Sequence, residues 1–229
     1  EQHRDIFHLS GIDQEETILL LYPPSKDDKT REILFIRKSD NHTKVWEGEK
    51  LSKKQANELS GIDSIYFIDD FKDILSSIAT KVDTFYINKN EHYRANSPVE
   101  TREDRFISWL LKKYPAHNVA KSNPILQRQR SIKHPDEIDQ IKKACNITRK
   151  GFNRVLEFIK PNVWEYEIEA EFIHEFINSS SKGFAYSPII ASGNDNNVLH
   201  YIKNNKQCKS GELILMDVGA EYGLSLIHI

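Results

Sequence analysis

The chain has 229 residues, of which 38% are hydrophobic and 29% charged, and this balance is typical of a folded globular protein. Because 32 basic residues face 34 acidic ones, the formal charge is −2, and no basic excess favours a nucleic-acid or anionic-membrane partner. The longest apolar runs are too short to span a bilayer, and no secretory signal is visible at the start.

The first half alternates short β-rich runs with amphipathic helices, which predicts a small α/β domain with a mixed sheet over residues 1–125. The chain is expected to open on a strand and a turn, and a polar turn is expected at 23–28. A helix is predicted from residue 71 onward and another over 103–113. Strands are predicted at 17–22, 32–36, 64–67 and 84–87.

The second half predicts an α+β domain over residues 136–229, joined to the first by an extended polar linker at 126–135. A long helix is predicted to begin at Pro135 and to end near Lys160, and a second helix carries Ile168, Phe172, Ile173 and Phe176. Strands are then predicted at 187–191, 198–201 and 212–219.

Two cysteines, Cys145 and Cys208, lie far apart and form neither a C-x-x-C pair nor a disulfide framework. They are interpreted as reduced thiols of a cytoplasmic protein, with Cys145 on the apolar stripe of the long helix.

Asp217 is the most informative candidate for chemistry. It follows the apolar run 213–216, which is predicted to be a buried strand, and it precedes Val218 and Gly219. A carboxylate at the end of a buried strand is costly unless a metal ion, a cation or backbone donors satisfy it. A metal ligand and a turn cap are therefore both open interpretations.

His200 follows the turn-forming segment 193–197, and from the residues alone it is interpreted as a half-buried ring without a special role. The acidic residues at alternate positions of 165–171 are interpreted as a solvated face near a helix start. The chain has no H-E-x-x-H, phosphate-loop or G-x-S-x-G motif.

Several segments in order resemble the pita-bread metallopeptidase family, and its aminopeptidase P branch in particular. In the second half these are 130–138, 160–165, the pair 187–193 with 199–201, and 211–222. In the first half, Asp5-Ile6-Phe7-His8-Leu9-Ser10-Gly11 is similar to a D-F-x-Y-L-T-G motif of the family's N-terminal domain. The resemblance implies an N-terminal α/β domain followed by an incomplete pita-bread domain.

The resemblance also implies chemistry. The residue matching Asp217 is a ligand of a centre of two divalent ions, expected to be Mn²⁺, in which a metal-activated water attacks the peptide bond. His200 is then expected to be catalytic, and His200 and Tyr201 to bind the substrate. That substrate is a peptide with proline in second position, whose bond to proline has no N–H and a fixed φ. By analogy, a homo-oligomer is expected.

The resemblance ends near Tyr222. His228 stands where the family has its second Asp, and the family's further His and Glu ligands are missing. The chain is therefore interpreted as a fragment truncated at both ends. It is expected to be inactive by itself. Asn162 replaces a family glycine, and asparagine also tolerates positive φ. Three alternatives stay open: a metal-free creatinase-like hydrolase, a non-catalytic pita-bread binding protein, and a small α/β binding domain that matches over 135–222 by chance.

Overall fold

The computed structural model of the chain describes residues 4–88 and 99–223. The chain divides into two units, Glu1–Ile132 and Lys133–Ile229. The dividing point lies inside the segment predicted as a linker.

The first unit contains a mixed sheet of three strands in the order β1 (Ile18–Leu21), β2 (Glu32–Ile36) and β3 (Ser64–Phe67). Strand β2 pairs antiparallel with β1 and parallel with β3, which confirms the predicted mixed α/β character. Strands β4 (Thr84–Ile87) and β5 (Asn118–Lys121) form a separate parallel pair.

Strand β2 is buried on both faces because apolar clusters lie on either side of the sheet. Leu34 and Ile36 pack in one cluster with Ala56, whereas Ile33 and Phe35 pack in the other. Successive strand residues point to opposite faces, so its continuous apolar run is typical of a central strand. The helices around this sheet are α1 (Arg4–Ser10), α2 (Asp28–Arg31), α3 (Asn41–Glu47), α4 (Lys53–Ser60), α5 (Phe71–Ala79), α6 (Arg102–Lys113) and α7 (Asn123–Ser131).

Two predictions for the first unit are wrong in conformation. The segment expected to open as a strand and turn is helix α1, which ends at Gly11 with φ +68° and an amide that donates to the Phe7 carbonyl at 2.7 Å. The first part of the linker expected to be extended at 126–135 belongs to helix α7. Pro124 lies in the first turn of this helix, where proline costs no hydrogen bond. The polar turn expected at 23–28 is followed directly by the short helix α2.

The second unit packs helix α8 (Pro135–Phe158) against helix α9 (Glu165–Asn178), as predicted. Its strands form two antiparallel pairs, β6 with β9 and β7 with β8. The predicted strand at 198–201 is wrong, because this segment forms a turn after a 3₁₀ helix over Gly193–Asn197. The strands of this unit are β6 (Gly183–Phe184), β7 (Ile189–Ser192), β8 (Ile214–Asp217) and β9 (Ala220–Glu221).

Close packing of α8 on α9 depends on Gly151. A Cβ at this position would lie 2.7 Å from Cε1 of Phe176 and 2.9 Å from Cδ1 of Phe172, and both rings are fully buried. The buried face of α8 consists of Ala144, Ile147, Thr148, Gly151 and Val155. The prediction that Cys145 lies on the buried stripe is wrong, because its thiol is exposed.

The turn between α8 and α9 contains Asn162, whose φ is +75°. Its backbone amide donates to the Cys208 carbonyl at 2.8 Å, so a tertiary contact holds this turn in the left-handed conformation.

We expect Asn162→Ala to reduce the free energy of unfolding by about 1 kcal/mol, because alanine tolerates the left-handed region less well than asparagine does. Asn162→Gly should be no less stable than the wild type. Urea denaturation of the three chains measures this, and equal stability of the alanine and glycine variants would contradict it.

Within the residues that the structure describes, no helix is both long enough and apolar enough to traverse a lipid bilayer.

Candidate active site

Asp217 is the last residue of strand β8 and is exposed. The prediction of a buried strand is wrong, since only Ile214 and Met216 face the core, while Leu213 and Leu215 are exposed. The carboxylate is nevertheless oriented, because the Tyr186 hydroxyl donates to its Oδ1 at 2.6 Å. Burial and this hydrogen bond raise the pKa of Tyr186, so its hydroxyl stays a donor at neutral pH.

His200 lies in the turn after the 3₁₀ helix and is exposed, so the expected half-buried ring is wrong. The next residue, Tyr201, is only 8% exposed and packs in a cluster with Ile189 and Ala191 of β7. Burial, and in second place a hydrogen bond to Glu165, raise the pKa of Tyr201 to about 12. The buried ring of Tyr201 thus anchors the chain in the core, while the imidazole of the preceding His200 is exposed.

Glu165, the first residue of helix α9, is a site residue that the sequence interpretation missed. It was expected on a solvated face, but it is fully buried and accepts four hydrogen bonds. The sequence does contain a signal for this burial. Glu165 precedes three apolar residues by three, seven and eleven positions, which is helical spacing, and it therefore lies on the buried face of α9. These residues are Ile168, Phe172 and Phe176.

Asn204 fixes the segment that follows Tyr201. It is 4% exposed, has a φ of +42°, and accepts a hydrogen bond from the Ile190 amide at 3.0 Å. Its amide group donates to the Pro188 carbonyl at 3.1 Å and to Glu169 Oε2 at 2.9 Å. The segment therefore runs beside β7. The side-chain amide of Asn204 there makes hydrogen bonds to the backbone that a neighbouring strand would otherwise make.

Strand β7 connects the candidate residues. Asp217 is the register partner of its first residue, Ile189, in the antiparallel pair with β8. Tyr201 packs on Ile189 as well, and His200 precedes Tyr201. Of the three predicted site residues, Asp217 and Tyr201 thus both meet one short strand, and His200 is next to Tyr201 in the chain.

A complete metal centre is not formed by the residues described. In 4–88 and 99–223, no group of three or more His, Cys, Asp or Glu side chains could hold a metal ion. One carboxylate with one oriented oxygen does not fit a centre of two divalent ions, which needs several ligands per ion. His228 lies outside the described residues.

Sequence comparison finds a match to a known family in each half of the chain. Residues 139–225 match Metallopeptidase family M24, and residues 1–86 match the N-terminal domain of aminopeptidase P. The match to metallopeptidase family M24 lies within the second unit. With the match to the N-terminal domain, the sequence and the fold of this chain are similar to those of aminopeptidase P, as the motifs predicted.

Individual relatives agree with this assignment. Xaa-Pro aminopeptidase of Escherichia coli is 27% identical over 227 residues, which cover 96% of this chain and 50% of that protein. Zinc-substituted E. coli aminopeptidase P in complex with product superposes with a TM-score of 0.84 at 26% identity, over 99% of this chain and 51% of that one. Aminopeptidase PepP of Pseudomonas aeruginosa gives 0.85 at 25% identity, over 99% and 51%.

The chain spans about half the length of the curated relatives it matches. Because a family match covers 139–225 and both halves follow the fold, the alternative of a chance match to an unrelated α/β binding domain is wrong. The matched family is one of metallopeptidases, and the E. coli structure is a zinc-substituted form of its protein.

Proposed function

We propose that the protein is a metal-dependent Xaa-Pro aminopeptidase, which releases the N-terminal residue of peptides with proline in second position. The observation that supports this most directly is Asp217. Its carboxylate is exposed at the end of a strand in the family M24 segment, and Tyr186 holds one of its oxygens. An oriented carboxylate with a free oxygen is what a hard divalent ion requires of a ligand.

The roles of the other residues follow from their exposure. We propose that the exposed imidazole of His200 faces the substrate. The hydroxyl of Tyr201 is buried and engaged with Glu165, so Tyr201 supports His200 from the core instead of touching the substrate. Asp217 is the ligand that the described residues contribute to a centre of two ions, proposed to be Mn²⁺, whose other ligands come from outside them.

Proline supplies the substrate class. A bond to proline is a tertiary amide without N–H, and the ring fixes φ, so recognition through extended-backbone hydrogen bonds is weakened. A dedicated enzyme is therefore a reasonable solution, and the named relatives of this chain carry that specificity in their names. A cytoplasmic, homo-oligomeric enzyme belongs to the same proposal, and the two free cysteines are compatible with a reducing compartment.

The test compares the complete gene product with residues 1–229 alone. Both are stripped of metal, and Mn²⁺ is then added in the presence of an Xaa-Pro peptide or of the same peptide with alanine replacing proline. We expect the complete product to release the first residue of the Xaa-Pro peptide only after Mn²⁺ is restored. Residues 1–229 alone should show no turnover, since one carboxylate does not hold the centre.

The two remaining alternatives give different results in this assay. Equal hydrolysis with and without metal would favour a creatinase-like hydrolase. Peptide binding without turnover, in a product that has taken up no metal, would favour a binding protein. Clear turnover by residues 1–229 would contradict the proposed incompleteness of the site.

A further inference from the structure

The segment between Ser192, the last residue of β7, and Lys206 carries His200 and contains one 3₁₀ helix but no strand. Irregular segments open at low free-energy cost unless their backbone groups are held by buried partners. An imidazole that has to face a substrate in one orientation therefore needs an anchor outside its own turn.

Glu165 contacts this segment at both ends. Its Oε1 accepts from the Ser192 amide at 2.8 Å and from the Ser192 hydroxyl at 2.7 Å. Its Oε2 accepts from the Tyr201 hydroxyl at 2.8 Å and from the Lys206 amide at 2.9 Å. Four donors use the whole acceptor capacity of a carboxylate, so the contact is specific for an acidic side chain.

The anchor is rigid. Glu165 is fully buried at the first turn of α9, and the same face of that helix continues into the apolar core through Ile168 and Phe172. Other polar contacts also hold the segment. Asn204 is hydrogen-bonded to Ile190, Pro188 and Glu169 near its end. The ion pair of Lys206 Nζ with Asp195 at 3.0 Å is partly exposed and so contributes little.

We propose that Glu165 is a positioning residue for the active site, which acts through Tyr201 to hold His200 toward the substrate. This inference rests on the proposed function for the role of His200. Since Tyr201 directly follows His200, fixing the tyrosine ring and hydroxyl fixes the direction in which the chain presents the imidazole. Glu165 itself is buried beneath the segment and does not reach the substrate.

The variants that test this are Glu165→Gln, Tyr201→Phe and their combination, in the complete gene product. Glutamine keeps the shape of Glu165 but replaces one acceptor oxygen by an NH₂ group, which then faces two donors. Phenylalanine keeps the ring of Tyr201 in the core and removes only its donor. Glu167→Gln is the matched control, because Glu167 lies on the same helix. This variant removes the same charge and keeps an acceptor oxygen for the Trp164 amide.

Two readouts are measured. Steady-state kinetics with the Xaa-Pro peptide should show kcat about 10- to 100-fold lower in Glu165→Gln with KM little changed, as expected when a reacting group is displaced. The kcat of the double variant should be no lower than that of Glu165→Gln alone, because both changes interrupt one connection.

In hydrogen exchange, the Ser192 and Lys206 amides of Glu165→Gln should exchange at least about tenfold faster than in the wild type, and those of Glu167→Gln should exchange as in the wild type.

Three results separate the explanations. Unchanged exchange and unchanged kcat in Glu165→Gln overturn the inference. A loss of activity that follows only the fraction of unfolded protein, with additive effects of the two changes, overturns it too, because the residue is then merely structural. If the wild type never cleaves the Xaa-Pro peptide while Glu165→Gln still exchanges the Ser192 and Lys206 amides faster, the proposed function is overturned and the anchoring of the segment by Glu165 stays supported.

Discussion

Replacing Asp217 with asparagine in the complete gene product should reduce metal-dependent Xaa-Pro hydrolysis by at least about 100-fold, since changes to partners of metal ligands already cost 10- to 100-fold. The amide is neutral and a weaker ligand than a carboxylate, but it has nearly the same shape. Because Asp217 is exposed, the folded structure should persist. Activity at saturating Mn²⁺ and the metal content after dialysis measure the effect.

Asp139→Asn is the matched control, because Asp139 is an exposed aspartate on α8 whose salt bridge is to Lys142 on the same helix. It should retain wild-type activity and metal content. Tyr186→Phe provides a graded comparison, since it removes the hydrogen bond that orients Asp217 and keeps the carboxylate. Full activity of Asp217→Asn would exclude Asp217 as a ligand and remove the main support for the proposed metal centre.

The largest expected effect on stability is that of Phe176→Ala. Phe176 is fully buried, its ring centroid lies 5.1 Å from that of Phe184 in an edge-on contact, and it lies against Gly151. Removing a buried phenylalanine costs about 3–5 kcal/mol, because it leaves a cavity in the core. Because domains are typically stable by only about 5–15 kcal/mol, the second unit should be close to unfolding.

Ile177→Ala is the adjacent control, with a side chain that is 61% exposed. Its unfolding free energy should stay within about 0.5 kcal/mol of the wild type. Urea unfolding of residues 1–229, followed by circular dichroism, distinguishes the two variants. Comparable losses in both would mean that α9 packs on α8 through a different face.

The apolar periodicity predicted much of the fold. Strand β2 and helices α5 and α8 lie where continuous or three- and four-residue apolar spacing placed them. The errors at α1 and α7 have a common origin, because both helices are short and their glycine and proline signals resemble breaks as much as helix ends. Local signals of this kind have two meanings, and the tertiary contacts select one.

The site was predicted less completely. Asp217 and His200 were identified through their motifs, but both were expected to be more buried than they are. Exposure depends on which neighbouring strands and helices cover a residue, and those neighbours are distant in the sequence. Glu165 is predicted to be solvated because a charged side chain is normally exposed, although its position on the apolar face of α9 indicates burial.

By itself, the sequence determined the two-part organisation, the apolar faces of the elements and the motifs that indicate a metallopeptidase. These properties depend on residues within one helix or strand, or on short ordered motifs. Only the tertiary structure decided that Glu165 lies beneath the segment 192–206 and that Tyr186 orients Asp217. Those contacts join residues 31 and 36 positions apart, and no local periodicity encodes a hydrogen bond that exists only after the helix and the strands have packed.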